Sequence, residues 1–229
     1  MVELNLNHIH KKYPNATHYA VEDFNLNIKD KEFIVFVGPS GCGKSTTLRM
    51  VAGLEDITEG QLKIDGEVVN DKSPKDRDIA MVFQNYALYP HMTVYDNMAF
   101  GLKLRKVPKD EREADVKKYL ELVGLKDFAK QKPYELSGGM KQRASLARVL
   151  VNQPKMILMD EPFGALDALT RQNMQTLIRE IWNKTGNTIF LITHDVDEAL
   201  ALATRVIVMS SRPGRIVKEF HTDFTYDIV

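Results

Sequence analysis

Apolar and polar residues alternate over two early segments of the chain, residues 2–9 and 21–28. Alternation with a period of two is typical of strands that bury one face. Residues 33–37 and 79–83 are instead apolar at every position, which predicts strands buried on both faces. Residues 61–66 end in Asp-Gly and predict a hairpin. The first part of the chain is therefore predicted to be rich in strands.

Helical periodicity replaces the strand patterns from about residue 90 to residue 150. The clearest amphipathic stretch in this region covers residues 110–123. Apolar strand patterns then return, with helices between them, at residues 156–159, 188–192 and 205–209. Alternation of strands and helices predicts a mostly parallel α/β sheet, and the helical middle is predicted to be a second lobe inserted into it.

Composition narrows the classes of function. The 229 residues are 44% hydrophobic and 27% charged, close to the average for globular proteins. Lys+Arg and Asp+Glu both total 31, and this neutral net charge argues against a nucleic-acid partner. No stretch approaches the roughly 18 consecutive apolar residues of a membrane span, and the first residues do not resemble a signal peptide. The one cysteine, Cys42, cannot form an internal disulfide, which fits a reducing, cytosolic setting.

A glycine-rich loop follows the buried strand predicted at residues 33–37. Residues 38–45, GPSGCGKS, match the phosphate-loop pattern G-x-x-x-x-G-K-[ST] in full. Glycines let backbone N–H groups approach phosphate oxygens, and a helix predicted over residues 44–52 points its positive end at them. Lys44 is expected to bridge the β- and γ-phosphates, and the Ser45 hydroxyl is expected to ligate Mg²⁺. The expected nucleotide contacts of this loop are Ser40, Gly41, Cys42, Gly43, Lys44, Ser45 and Thr46.

Two carboxylates follow the apolar run at residues 156–159. Asp160 fits the aspartate that holds Mg²⁺ through water in P-loop hydrolases, and Glu161 would then face an attacking water. Gln84 and His194 each follow a predicted strand, at the end of the sheet where α/β proteins bind ligands. The predicted catalytic residues are Lys44, Gln84, Glu161 and His194, and the predicted metal ligands are Ser45, Gln84 and Asp160.

Residues 136–142, LSGGMKQ, resemble the LSGGQ signature of the ABC ATPase family, with Met140 in place of the usual glutamine. Ser137 is expected to cap a helix that runs to about residue 151. Its hydroxyl, the amides of Gly138 and Gly139 and the helix dipole together make a second anion site. This segment precedes the acidic strand, which is the order that the family shows.

Further motifs agree with the resemblance to the ABC ATPase family. Residues 165–167 resemble its D-loop, Gln84 its Q-loop glutamine and His194 its switch histidine. Tyr13 lies where the family places an aromatic residue that stacks on adenine, the alternative being simple packing against Pro14. The resemblance implies an α/β P-loop NTPase (RecA-like) core with an antiparallel β subdomain and an inserted α-helical subdomain. A single nucleotide-binding domain over residues 1–229 would then comprise a core at 1–89 and 152–229 and a helical signature subdomain at 90–151.

The same resemblance implies a mechanism and its partners. ATP and Mg²⁺ are the expected cofactors, and two chains are expected to pair with each ATP between one P-loop and the other signature loop. Hydrolysis would open this dimer and drive transmembrane permease subunits that a solute-binding protein serves. The expected location is peripheral, at the cytoplasmic face of the cell membrane. Residues 85–92 are expected to contact a permease helix, and they can also form a local hydrophobic core.

The two halves of the chain resemble different importer branches. Residues 1–108 resemble ATPases of multiple-sugar importers, whereas residues 115–229 resemble those of nitrate, sulfonate and taurine importers. The resemblance rests on residues 73–84 and 89–94 in the first half and on residues 161–171, 193–199 and 211–217 in the second. A C-terminal regulatory β domain, usual in the sugar branch, is expected to be missing. Natural mosaic ancestry and an engineered chimera joined near residues 105–120 both explain this, and the abrupt change favours the chimera.

Two other functions stay open at this point. ABC-type ATPases that act outside transport usually carry coiled-coil insertions, zinc ligands or tandem cassettes, none of which is seen here. A non-hydrolysing nucleotide-binding module is disfavoured by the presence of Lys44, Asp160, Glu161 and His194. An exporter is less favoured than an importer because most exporters carry the membrane span in the same chain.

Overall fold

A computed structural model describes residues 2–222 and contains two β-sheets. The strands are β1 (Leu4–Lys11), β2 (Val21–Ile28), β3 (Phe33–Val37), β4 (Glu59–Ile64), β5 (Glu67–Val68), β6 (Ile79–Val82), β7 (Met156–Asp160), β8 (Thr188–Thr193), β9 (Arg205–Met209) and β10 (Ile216–His221). The helices are α1 (Lys44–Ala52), α2 (Val94–Leu104), α3 (Lys109–Leu122), α4 (Gly138–Leu150), α5 (Ala168–Thr185) and α6 (Val196–Leu202). No helix within residues 2–222 is both long enough and apolar enough to span a bilayer.

The larger sheet has six strands in the order β10-β9-β3-β8-β7-β6. Strand β3 is buried at all five positions and runs parallel to both β8 and β9, and β7 runs parallel to β8. Continuous apolar runs suit such positions because neither face of a central strand meets water. The carboxyl ends of β3, β7 and β8 consequently lie along one edge of the sheet, next to Gly38, Glu161 and His194.

The smaller sheet is antiparallel, with the order β2-β1-β4-β5. Alternate residues of β2 from Phe24 to Ile28 are buried, as its period-two pattern predicts. Strand β1 extends to Lys11, beyond the predicted limit at residue 9, and its pairing with β2 is irregular between Leu6 and Lys11. His8 in this stretch has a positive φ of 49°. A bulge of this kind interrupts the alternation and hides the end of the strand in the sequence.

The two edges of the larger sheet differ from the predictions. Strand β6 was expected to be buried on both faces, but Ile79, Ala80 and Met81 are only half-buried and only Val82 is fully buried. The reason is that β6 is an edge strand, with a neighbour on one side only. The opposite edge strand, β10, was not predicted, and it pairs antiparallel with β9.

The chain divides into two compact units. The first contains the described residues up to Met81, the segment Lys155–Glu161 and the described residues from Thr185 onward. The second contains Val82–Pro154 and Pro162–Lys184, and in it α2 packs against α3 and α4. The domain boundaries proposed from the sequence stay a prediction, and their residues 1 and 223–229 lie outside the described residues.

Arg77 fixes the carboxyl end of α1 within the first unit. Its side chain is buried, and Nη1 donates to the carbonyl oxygens of Met50 at 2.8 Å and Val51 at 3.0 Å. Nε donates to the Lys72 carbonyl at 3.0 Å. Burial lowers the pKa of Arg77. The guanidinium therefore satisfies the last carbonyls of the helix that begins at the phosphate loop.

Replacing Arg77 by alanine is expected to lower the free energy of unfolding by about 2–3 kcal/mol, because buried carbonyls would lose charged donors. Lys75→Ala is the matched control, since Lys75 belongs to the same segment and is exposed. We expect this control to lie within about 0.5 kcal/mol of the unchanged protein. Urea unfolding followed by circular dichroism measures both, and equal stabilities of the two variants would contradict the role given to Arg77.

Candidate functional site

The phosphate loop lies between β3 and α1, and its last glycine, Gly43, is closely packed. Gly43 immediately precedes α1 with a φ of 92°. A Cβ atom at Gly43 would lie 2.9 Å from Val21 Cγ2 and 3.0 Å from the Ala20 carbonyl oxygen. Both the backbone conformation and the lack of space therefore favour glycine here. The helix predicted over residues 44–52 is confirmed.

The Lys44 side chain is buried within this loop. Its Nζ donates to the carbonyl oxygens of Gly38 at 2.7 Å and Pro39 at 3.2 Å, and it lies 3.6 Å from Cys42 Sγ. An anion held by the loop would compete with these carbonyls for the same ammonium group. Cys42 is fully buried and its N–H donates to the Pro39 carbonyl at 3.3 Å, so the nucleotide contact predicted for Cys42 stays a prediction.

Ser45 and Asp160 bring two oxygen donors together at the edge of the larger sheet. Ser45 Oγ donates to Asp160 Oδ1 at 3.4 Å. Burial raises the pKa of Asp160 and the charge of Glu161 raises it further, whereas the charges of Arg49 and Lys44 and the Ser45 hydrogen bond oppose the increase. Within residues 2–222, no group of three His, Cys, Asp or Glu side chains could hold a metal. A hydroxyl and one carboxylate fit Mg²⁺, which commonly binds few protein ligands together with substrate phosphates.

Glu161 and His194 face each other at the same edge. His194 Nδ1 lies 3.4 Å from Glu161 Oε2, and the exposed fractions of these two side chains are 64% and 27%. Glu161 has a φ of 44°, and its N–H donates to the Ile192 carbonyl at 3.1 Å. This bond continues the pairing with β8 beyond Asp160, and the positive φ marks the end of the strand. The two consecutive carboxylates have different partners, Ser45 for Asp160 and His194 for Glu161.

The turn that carries His194 is held by buried polar groups. Thr193 Oγ1 donates to Glu198 Oε2 at 2.5 Å and accepts from the Asp195 N–H at 3.1 Å. Both Thr193 and Glu198 are buried. Asp195 Oδ1 in turn accepts from the backbone N–H groups of Asp197 and Glu198, which caps α6. The sequence-based reasoning missed this network, which fixes the position of the histidine.

A cavity of 810 Å³ connects most of the predicted residues of the first unit. Its predicted lining residues are Tyr13, Ser40, Gly41, Gly43, Lys44, Ser45, Thr46 and Glu161. The Tyr13 hydroxyl lies 3.4 Å from Thr46 Oγ1, and Lys11 Nζ lies 5.0 Å from the centre of the Tyr13 ring. The cavity therefore combines an aromatic wall with the phosphate loop and a carboxylate.

The cavity also contains residues that the sequence-based reasoning missed. Residues 15–20, after Tyr13, and the pair Arg212 and Pro213 line it. The turn-forming residues Pro213 and Gly214 are a signal for a loop near this position. Nothing local indicates that the loop meets the phosphate loop, because that contact depends on the order of strands in the sheet.

The remaining predicted residues belong to the second unit. Ser137 Oγ accepts from the Met140 N–H at 3.3 Å, so the predicted helix cap is confirmed. A Cβ atom on Gly139 would lie 2.6 Å from Thr170 Cγ2. A Cβ atom on Gly138 would have more space, because its nearest neighbour would be the Tyr86 hydroxyl at 3.4 Å. A larger residue at position 139 would therefore displace the Thr170 side chain. The nucleotide contacts predicted for Ser137, Gly138 and Gly139 stay a prediction.

Gln84 and Asp167 occupy turns of the second unit. Strand β6 ends at Val82, so exposed Gln84 lies in a turn after it rather than directly after the strand as predicted. Asp167 Oδ1 accepts from the Thr170 N–H at 3.0 Å at the start of α5. A hydrogen bond from the Thr170 side chain is the main cause that lowers the pKa of Asp167, and this backbone N–H lowers it further.

The aromatic segment at residues 85–92 is anchored by buried Asn97 and half-buried Arg148 of the second unit. Asn97 accepts from the Tyr89 N–H and donates to the carbonyls of Tyr89, Met92 and Thr93. Arg148 Nη1 donates to the Ala87 carbonyl, and its guanidinium lies 5.7 Å from the centre of the Tyr89 ring. Burial lowers the pKa of Arg148. The Tyr89 side chain itself stays exposed.

A family model described as "ABC transporter" matches residues 21–164, more than half of the chain. The chain belongs to the ABC transporter family. The matched range includes the phosphate loop, the signature segment and Glu161. His194 lies outside it, so its role depends on the geometry beside Glu161.

Curated relatives in this family include ATP-binding proteins of sugar transport and oligosaccharide import. The chain is 64% identical over 211 residues to the multiple sugar-binding transport ATP-binding protein MsmK of Streptococcus mutans. The aligned residues cover 92% of this chain and 56% of the relative. It is 57% identical over 216 residues to the oligosaccharides import ATP-binding protein MsmX of Bacillus subtilis, with coverages of 94% and 58%. The chain thus spans somewhat more than half the length of these relatives.

The alignment with the Streptococcus mutans relative crosses the proposed join near residues 105–120, because it covers 92% of the chain. The 64% sequence identity of this alignment is an average over both halves of the chain. The mosaic and chimera hypotheses therefore stay predictions.

Solved ABC transporter cassettes have the same fold. The ATP-binding cassette MJ0796, solved as a dimer in a post-hydrolysis state with ADP and Pi, has a TM-score of 0.82 and 33% identity, covering 95% of this chain and 98% of that one. CbiO1 from Clostridium perfringens, part of the cbiONQ complex, has a TM-score of 0.87 and 29% identity, with coverages of 98% and 90%. The predicted α/β P-loop fold of the ABC type is confirmed.

Proposed function

We propose that this chain binds and hydrolyses ATP as the energy-coupling subunit of an ABC importer. The observation that carries the proposal is the cavity that joins the phosphate loop to Tyr13 and Glu161, with Glu161 3.4 Å from His194. A phosphate-binding loop beside a carboxylate–histidine pair suits attack of water on a phosphoryl group. Hydrolysis by water, unlike the reaction of a kinase, does not require the hydroxyl of a second substrate.

The residues of the first unit have separate roles in this proposal. Lys44 and the amides from Ser40 to Thr46 bind the phosphates, and Tyr13 stacks on adenine. Ser45 and Asp160 would hold Mg²⁺, with Gln84 as a further ligand, and the ion would supply positive charge beside the phosphates. Glu161 accepts the proton of the attacking water, and His194 stabilises the terminal phosphate from its position beside Glu161.

We propose that two copies of the chain act together. The relative MJ0796 is a dimer with ADP and Pi, and the Ser137 cap at the start of α4 offers backbone N–H groups and a helix dipole. In the proposed dimer, Ser137, Gly138 and Gly139 of one chain bind the γ-phosphate of the ATP held by the other. The closed dimer opens after hydrolysis.

The proposed partners are transmembrane permease subunits served by a solute-binding protein. The exposed Tyr89 on the anchored segment 85–92 supports a permease contact there, at the cytoplasmic face of the membrane. No nucleic-acid partner is proposed. The names of the Streptococcus and Bacillus relatives favour a sugar or oligosaccharide as solute over nitrate, sulfonate or taurine.

Release of phosphate from Mg²⁺–ATP by the purified full chain tests the proposed function. We expect turnover that disappears when EDTA removes Mg²⁺ and returns when Mg²⁺ is added again. Specific activity should rise with protein concentration if two chains form the site. ATP binding without phosphate release under any of these conditions would favour a non-hydrolysing nucleotide-binding module instead.

A further inference from the structure

The hairpin between β9 and β10 packs directly on the phosphate loop. The Gly214 N–H donates to the Ala20 carbonyl at 3.0 Å, and the Gly214 carbonyl accepts from the Glu22 N–H at 3.1 Å. A Cβ atom on Gly214 would lie only 2.3 Å from the Cys42 carbonyl oxygen. Such close approach of two backbones is possible only with glycine at this position. The hairpin is therefore hydrogen-bonded to residues 20–22 and lies against the phosphate loop at Cys42.

Internal hydrogen bonds also close the hairpin. The Ser210 N–H donates to the Arg215 carbonyl at 2.9 Å, and Ser210 Oγ donates to the Pro213 carbonyl at 2.8 Å. These bonds enclose Arg212 in a short turn whose backbone is held at both ends. A side chain on such a turn starts from a defined position, which reduces the entropy lost when it binds a ligand.

Arg212 extends from this hairpin toward the phosphate loop. Its Nη2 and Nε atoms lie 3.5 Å and 3.7 Å from the position that a Cβ on Gly41 would take, and both residues line the 810 Å³ cavity. The Arg212 side chain is exposed, and the structure over residues 2–222 shows no hydrogen bond or ion pair of its guanidinium. Arg215 of the same hairpin differs, because its Nη2 pairs with Glu22 Oε2 at 2.5 Å.

We propose that Arg212 is a further nucleotide-binding residue, which pairs with phosphate oxygens of the nucleoside triphosphate in the cavity. The proposal rests on the proposed function, because it assigns an additional contact in the same site. A guanidinium suits this role because its planar set of N–H donors matches two phosphate oxygens at once. Arg212 supplies a cation that is not engaged by the loop, whereas the Lys44 ammonium already binds the carbonyls of Gly38 and Pro39.

The test compares Arg212→Ala with Arg215→Ala in the full chain, by equilibrium dialysis of Mg²⁺–ATP and Mg²⁺–ADP. We expect Arg212→Ala to raise the Kd for ATP by about 5- to 20-fold, a modest effect because the pair is partly exposed to solvent. Arg215→Ala should stay within about twofold of the unchanged chain, because rim charges away from the ligand are screened. Arg212→Lys should retain part of the affinity, and the loss in Arg212→Ala should shrink as salt is raised from about 0.05 to 0.5 M.

Three results would overturn the inference. These are an Arg212→Ala affinity within twofold of the unchanged chain, an equal loss in both arginine variants, and a loss that does not depend on salt. Arg212→Gln, which keeps most of the side-chain volume, replaces Arg212→Ala if the latter does not melt cooperatively. Failure of the unchanged chain to bind ATP would refute the proposed function itself, whereas unchanged binding in Arg212→Ala refutes only the role of Arg212.

Discussion

Replacing Glu161 by glutamine is expected to reduce ATP turnover by about 10²- to 10⁴-fold, the range that general acid–base catalysis contributes. Glutamine keeps the size of the side chain and can still hydrogen-bond to water, but it cannot accept a proton. The Glu161 carboxylate is accessible, lines the cavity and lies 3.4 Å from His194, which places it where water and a terminal phosphate can meet. Steady-state phosphate release measures the loss.

ATP binding should persist in Glu161→Gln, because the phosphate loop and Tyr13 are unchanged. Retained binding with lost turnover distinguishes a catalytic role from a structural one. Glu113→Gln is the matched control, since it makes the same chemical change at an exposed position on α3. We expect its turnover to equal that of the unchanged chain. Turnover of Glu161→Gln close to that of the control would remove Glu161 from its proposed role.

The central strands of the larger sheet are predictable from sequence because of where they lie. Strands β3, β7 and β8 are almost completely buried, so each appears in the sequence as an apolar run that needs no periodicity to detect. Parallel pairing then aligns their carboxyl ends. The polar residues at the ends of these strands or directly after them are therefore brought to one edge, which is why the apolar runs place Asp160, Glu161 and His194 there.

The sheet edges and the groups that support the site are not predictable in the same way. Strand β10 is mostly exposed and carries no clear alternation, so its position depends on pairing with β9. Arg212 reaches the cavity only because this hairpin packs on the phosphate loop. Thr193 and Glu198 likewise meet through a turn whose geometry is set by tertiary packing. Each depends on contacts between segments that are distant in the sequence or on a turn without a local signal.

Replacing Asp160 by asparagine is expected to have opposite effects on Mg²⁺-dependent turnover and on stability. Asparagine is a weaker partner for the waters of Mg²⁺, so the Mg²⁺ concentration for half-maximal turnover should rise by about 10- to 100-fold. Titration of turnover with Mg²⁺ at saturating ATP measures this change. A metal requirement equal to that of the unchanged chain would remove Asp160 from the proposed site.

The stability effect of Asp160→Asn follows from the raised pKa of Asp160, which burial causes. A carboxyl whose pKa is higher in the folded protein than in the unfolded chain binds its proton more tightly when folded. Stability from this group is therefore greatest below the usual aspartate pKa and falls as pH rises through the window up to the raised value. At neutral pH the ionised side chain is destabilising without a bound cation.

Asp160→Asn should accordingly have a higher unfolding temperature than the unchanged chain at pH 7 without Mg²⁺ or nucleotide, and this difference should vanish at acidic pH. Asp167→Asn is the control, and its unfolding temperature should change in the opposite direction, because hydrogen bonds from Thr170 lower the pKa of Asp167. Its ionised form contributes stability above the usual aspartate pKa, which is lost as pH falls, so this variant should melt at a lower temperature at pH 7. Unfolding temperatures of the unchanged chain, Asp160→Asn and Asp167→Asn, measured at several pH values, test both expectations. A lower unfolding temperature for Asp160→Asn at pH 7 would show that burial does not destabilise the ionised carboxylate, and that the site has no electrostatic need for a cation.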